Sequence, residues 1–340
     1  MALSAPARVN PVGRAASILA RGMRSRELTL AGVLVVLAAL VALATPNFLL
    51  ADNLIAVTAL ASIIAIAAVG EALIIMTKNI DLSFEATIGL VAFAVALELK
   101  QQTPVPIAWA IGVGLGLVLG MANGVIVTVF KVPSIVATLG TLSVFRGLTY
   151  WIANGQEITA SDLPLGYTNP ASQTFLGLPL FVIAAIVIIA AAALVLRYTV
   201  FGRQFLAVGS NVEAAATIGI RSRLTIFLAF ALGGMLAGVA GVLWGMEFGQ
   251  LYASSASGQS LAIIAAVVVG GVSISGGSGT VVGAAIGALF LALINNALTV
   301  LLLPQESLQM IYGAVILFAV STDALIQVRA QRAKARSRVR

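Results

Sequence analysis

Apolar runs of bilayer-crossing length follow one another from residue 28 to residue 328, and little of the chain is left over for anything but the connections between them. Lipid offers the backbone no hydrogen-bond partner, so a crossing segment must be a helix of about 20 residues or part of a closed barrel. With 60% hydrophobic residues, 9% charged residues and a mean hydropathy of +1.09, the chain reads as an all-α polytopic membrane protein. Spans are expected near 28–45, 54–76, 82–97, 105–130, 134–152, 177–197, 223–246, 260–273, 281–303 and 308–328, about ten in all.

The charges are sorted between those runs. All Lys and Arg residues except Lys100 and Arg146 fall on one side if the N-terminus is cytoplasmic, while Asp52, Glu98, Glu157, Asp162, Glu247 and Glu306 lie in or beside the opposite loops. Both termini are therefore expected in the cytoplasm: a basic segment 1–27, a membrane domain 28–328 and a basic tail 329–340 beside the lipid surface. A cleavable signal is set aside, because the basic region is long and the first apolar run is long enough to cross. A net charge of +7 confined to such loops is anchoring, not nucleic-acid binding. The chain has no Cys and no His, which removes thiol chemistry, the commonest metal ligands and the neutral-pH proton shuttle. No cofactor is expected, and the composition points away from an enzyme.

Glycines at four-residue steps make flat strips along two spans, Gly112, Gly116, Gly120 and Gly124 on one and Gly279, Gly283 and Gly287 on the other. Such strips let a neighbouring backbone approach closely, and tight packing inside the subunit is expected ahead of a dimer seam. The fourth and ninth spans share a pattern: a Gly strip, then Asn123-Gly124 or Asn295-Asn296, then Pro133 or Pro304. An inverted repeat relating spans two to five with seven to ten would account for it, with a translocation path at the repeat interface.

Four charged groups sit within or at the rim of apolar segments: Glu71, Asp81, Glu85 and Arg146. Each costs roughly 2.5–3.5 kcal/mol at the centre of a span and so needs a partner, a polar cavity or the interface. Asp81 and Glu85 are placed to cap the third span, and Glu71 and Arg146 to pair with each other or line a polar path. Glu71, Asn79, Asp81, Asn123, Arg146, Asn295 and Asn296 make up the candidate path, with Tyr150, Trp151 and Asn154 as further polar groups compatible with a small polyol. The segment Thr77–Ser83 breaks two apolar runs, as transport proteins do where protein or water covers irregular backbone. Ser273–Thr280 makes a second break; it lacks the Gly-Lys-Ser/Thr ending of a phosphate loop and reads as a tight turn.

The longest polar connection on the basic side is 198–222. Within it Asn211–Ile220 reads as a short helix, with an Asn cap, small helix formers and Gly219 at its stop. A helix this short needs a host surface, which suits docking into a partner's groove.

Four stretches together resemble the inner-membrane permeases of bacterial ABC importers for monosaccharides, of the ribose, xylose, rhamnose and autoinducer-2 type. They are Asn79-Ile80-Asp81-Leu82-Ser83; Val132-Pro133-Ser134 through Thr141 to Phe145-Arg146-Gly147-Leu148; Gly202-Arg203 through Gly209 and Asn211 to Gly219-Ile220; and Ala265 through Gly270-Gly271 to Gly276–Thr280. Their order covers residues about 53 to 300. The resemblance implies that the third stretch, with Gly202, Arg203, Asn211, Glu213, Ala214, Ala215 and Gly219, couples to a cytoplasmic ABC ATPase. It also implies a second permease subunit, identical or not, and a periplasmic binding protein that delivers the solute, with ATP hydrolysed by the partner.

Lys78-Asn79 stands where related permeases often have two glycines, which leans toward the rhamnose or autoinducer-2 branch. Ser260-Leu261-Ala262 replaces an acidic stretch common in relatives. Branched-chain amino-acid permeases share Ile-Asp-Leu-Ser and the coupling loop but usually lack the Ile-Val-Ala-Thr-Leu-Gly stretch, which favours sugar. An ion-coupled secondary transporter would require an ionisable relay at mid-depth, for which only Glu71 and Arg146 qualify.

Overall fold

The computed structural model describes residues 26–168, 174–175, 178–304, 306–318 and 321. The basic tail and nearly all of the basic N-terminal segment lie outside the described residues. The helices are α1 (Arg26–Ala44), α2 (Ala51–Met76), α3 (Phe84–Lys100), α4 (Val105–Thr128), α5 (Ser134–Ala153), α6 (Leu180–Tyr198), α7 (Val200–Ser210), α8 (Val212–Thr217), α9 (Ser222–Phe248), α10 (Gln259–Val269), α11 (Val281–Val300) and α12 (Glu306–Phe318). A two-stranded hairpin, Thr174–Phe175 with Leu178–Pro179, leads into α6.

Seven of these, α1, α2, α4, α5, α6, α9 and α11, are long and apolar enough to cross a membrane. The expected count of about ten is a loose one: it requires the shorter apolar helices α3, α10 and α12 to complete the crossing beside these seven. α3 has 17 residues, or about 25 Å of helix, and α10 only 11. α12 is also short among the described residues, and the rest of the expected 308–328 span lies beyond them.

α2 is apolar on every side because it is surrounded: each residue from Ala61 to Met76 is buried. α1 and α6, by contrast, keep Val35, Val36 and Leu43, and Ile186, Val187 and Leu194, exposed, as lipid-facing helices do. Both glycine strips pack within the subunit, as expected. A Cβ on Gly116 would stand 2.5 Å from the Gly234 carbonyl oxygen of α9, and one on Gly120 would stand 2.3 Å from that of Phe230, so α4 and α9 meet backbone to backbone. Gly283 and Gly287 similarly receive the carbonyls of Gly270 and Ala266.

Gly120→Leu should therefore force α4 and α9 apart and lower the thermal midpoint in detergent by the equivalent of at least about 1–3 kcal/mol. Gly114→Leu, where a Cβ would meet nothing within 4 Å, should leave it unchanged. Equal midpoints for the two variants would refute this account of the crossing.

The packing pairs come in mates. α4 lies on α9 and α11 on α2; α3 lies on α9 and α10 on α2; α3 touches α4 and α10 touches α11; and α2 crosses α9. A two-fold relation between α2–α5 and α9–α12 generates this pattern, in keeping with the inverted repeat expected from the glycine strips. The breaks between α2 and α3 and between α9 and α10 are mates in the same scheme.

Candidate functional site

The break after α2 is held by side chains from four helices, α2, α4, α5 and α10. Its backbone donates from Ile80 to Ser134 Oγ at 3.2 Å and from Leu82 to Thr138 Oγ1 at 3.1 Å, both on α5. The Asp81 N–H donates to Glu71 Oε1 at 3.0 Å. These bonds satisfy amides that would otherwise be orphaned in an apolar setting.

Asp81 then gathers a buried cluster. Its Oδ1 accepts from the N–H and hydroxyl of Ser83, at 2.8 and 2.6 Å, and its Oδ2 accepts from Asn123 Nδ2 at 3.0 Å. Asn123 Nδ2 also donates to Ser83 Oγ at 2.8 Å. Glu71, Asp81, Ser83 and Asn123 are all at most 3% exposed. Two acceptors in this cluster, Glu71 Oε2 and Asn123 Oδ1, have no hydrogen-bond partner among the described residues. Asn79 stands apart, its amide donating locally to Thr77.

Asp81 was expected to cap α3, and it does not: its carboxylate closes the turn before the helix by accepting from Ser83, the residue at the cap position itself. Glu85 does not cap its own helix either. Its Oε2 accepts from the N–H groups of Gly258 and Ser260, at 2.9 and 3.3 Å, at the start of α10. Ser260 answers by accepting from the Glu85 N–H and donating to the Leu82 carbonyl. The positive ends of α3 and α10 thus meet around one carboxylate.

The expected Glu71–Arg146 pair is also absent. Arg146 lies with Glu85, Nη2 standing 3.6 Å from Oε1, while Nη1 donates to the carbonyls of Ala253 and Ser255 at 3.1 and 2.8 Å. Arg146 therefore pins the coil that links α9 to α10. Asn296 serves a third place, exchanging amide bonds with Asn53 at 2.7 and 3.1 Å. Of the candidate path residues, the fold unites Glu71, Asp81 and Asn123 and separates Arg146, Asn295 and Asn296 from them. Ser134, Thr138 and Ser260 were missed as site residues; the four-residue spacing of Ser134 and Thr138, one face of a helix, was the available signal.

The short helix expected at Asn211–Ile220 is present as α8, but the first half of the 198–222 connection is itself helical, α7, which was not expected from the sequence. Thr199 Oγ1 accepts from the Gly202 N–H at 3.0 Å, turning the chain sharply into α7. A Cβ on Gly202 would lie 2.3 Å from the Leu196 backbone. Asn211 Oδ1 caps α8 by accepting from the Ala214 N–H at 2.9 Å, and Gly219 ends it at φ +85°. Arg203, Asn211, Val212, Glu213, Ala214, Ile218 and Gly219 are exposed, whereas Ala215 is buried in its own subunit. Ala215 seats the helix, and the outer surface belongs to the residues around it. At the other end of the bundle, Asp162 is held below the usual carboxylate range by the Thr159 N–H and by Lys100, 3.2 Å away.

Residues 53–320 match the sequence model described as branched-chain amino acid transport system / permease component. The chain is 36% identical over 319 residues to an autoinducer 2 import system permease protein, LsrC, of Klebsiella pneumoniae, covering 93% of this chain and 92% of that one. It is 35% identical to LsrC of an Enterobacter species over 93% of this chain and 92% of the relative, and 33% identical to that of Salmonella typhimurium over 84% and 82%. No solved structure matches. With four-fifths of its length inside that sequence model, this multi-pass membrane protein belongs to the family of branched-chain amino acid transport system permease components.

Proposed function

We propose that this chain is the permease subunit of an ABC importer in a bacterial inner membrane, passing a monosaccharide-like solute of the autoinducer-2 kind. A periplasmic binding protein delivers the solute, a second permease subunit completes the membrane part, and a cytoplasmic ATPase docks on α8. Both termini, like α8, then face the cytoplasm. The likeness to autoinducer 2 permeases over nearly the whole of both chains carries the reading. An exposed, capped α8 that cannot be stable alone supports the docking role.

Solute passage requires the polar groups at the two breaks to change partners. Glu71 Oε2 and Asn123 Oδ1, without donors among the described residues, would accept solute hydroxyls once the α2–α3 break opens. Glu71 and Arg146, the groups an ion relay would have to connect, sit in separate clusters, which disfavours a secondary transporter.

The family description favours a second reading, a branched-chain amino acid as cargo. Vesicles holding the complete transporter and given labelled autoinducer 2, ribose or leucine separate the two. Accumulation of leucine alone would reject the sugar reading. Ala214→Arg places bulk and charge on the exposed face of α8, where a packed groove tolerates neither. It should leave the permease folded and abolish both ATPase capture and uptake; retention of both would remove α8 from the docking role.

A further inference from the structure

Three stretches of main chain pack directly on one another at the end of the bundle that carries α7 and α8, with Ser210 Oγ donating to the Gly277 carbonyl at 3.4 Å beside them. The Met76 carbonyl, closing α2, accepts from the Gly277 N–H at 3.0 Å. Gly209, in the last turn of α7, presses on both: a Cβ there would stand 1.8 Å from the Met76 oxygen and 2.6 Å from the Gly277 nitrogen. A Cβ on Gly277 would stand 2.2 Å from Ser210 Oγ, and one on Gly276 would lie 2.8 Å from Lys78 Cβ and 3.1 Å from the Gly209 oxygen. Gly276 and Gly277 hold φ +78° and +74°, and Lys78 holds φ +66°. The conformation and the space at this knot both select glycine.

The knot joins parts already described. Asn211 ends α7 and caps α8 with no linker between them. Met76 and Lys78 lead directly into the turn that carries Asp81. A side-chain contact can give way by changing rotamer, whereas packed backbone has no such freedom, so a push on α8 reaches the α2–α3 break undamped. We infer that Gly209, Gly276 and Gly277 are positioning residues that lock α8 to the α2–α3 break as one rigid unit, through which ATPase movement shifts the Asp81 cluster. This rests on the reading of α8 as the ATPase-docking element.

The complete transporter in vesicles tests it, with ATP hydrolysis and uptake measured together, using whichever labelled solute of the panel above the wild type accumulates. Gly209→Ala and Gly277→Ala should keep ATPase capture and hydrolysis while uptake falls by about tenfold or more. A preserved ratio of uptake to hydrolysis, whether both stay or both fall, would overturn the inference. A second arm does not depend on those variants folding. The chain has no cysteine, so Lys78→Cys with Ser210→Cys can be joined by a short bis-thiol reagent. A rigid unit predicts unchanged uptake after joining, and lost uptake overturns it. Failure of the docking reading looks different: Ala214→Arg would then keep its ATPase and its uptake, whatever the glycine variants do.

Discussion

Arg146→Leu is expected to cost about 3–5 kcal/mol, the usual penalty for removing one partner of a buried ion pair. The Arg146 and Glu85 side chains are only 14% and 16% exposed. Loss of the guanidinium leaves the Ala253 and Ser255 carbonyls without their donor and the carboxylate without its cation. Folded yield in membranes and thermal midpoint in detergent should both drop. Arg146→Lys should recover only part of this, since one ammonium cannot reproduce a planar fork serving two carbonyls and a carboxylate. An unchanged midpoint for Arg146→Leu would mean that the side chain merely extends to the membrane surface.

Asn123→Leu is expected to strike the other cluster. It strips the buried Asp81 side chain and the Ser83 hydroxyl of a shared donor, at about 1–3 kcal/mol for a buried acceptor left without its partner. Uptake should fall by roughly tenfold or more. Asn79→Ala, which removes only bonds to neighbouring Thr77, should stay near wild type. If the two variants transport equally well, the cluster around Asp81 has no part in transport.

What could be read from the sequence was what is local. The α8 segment needs only an Asn cap and a Gly stop, both encoded within ten residues, and it formed where expected. The glycine strips carry their own geometry, so their close approach to another helix was legible, though not which helix. The partner of Arg146 was not legible, because two of its three contacts are main-chain carbonyls more than 100 positions away, and any residue type supplies a carbonyl. The expected 260–273 span stops short at Val269, because Gly270 caps the helix and Gly271 turns the chain at φ +95° inside an otherwise apolar run. Ala215 shows the limit on α8 itself: with Ala on three consecutive positions, composition does not say which one faces inward.

The meeting of α3 and α10 around Glu85 also bears on how the chain is made. Glu85 and Arg146 enter the bilayer with the first half of the protein, yet Glu85 waits for N–H groups 173 and 175 positions later, and Arg146 for carbonyls 107 and 109 positions later. At 5–20 residues per second, Arg146 waits on the order of 10 s for those carbonyls. During that interval the ion pair has only itself for company in a low-dielectric setting. Until the second half of the chain arrives, the Glu85–Arg146 pair lacks the main-chain partners that hold it in the finished protein.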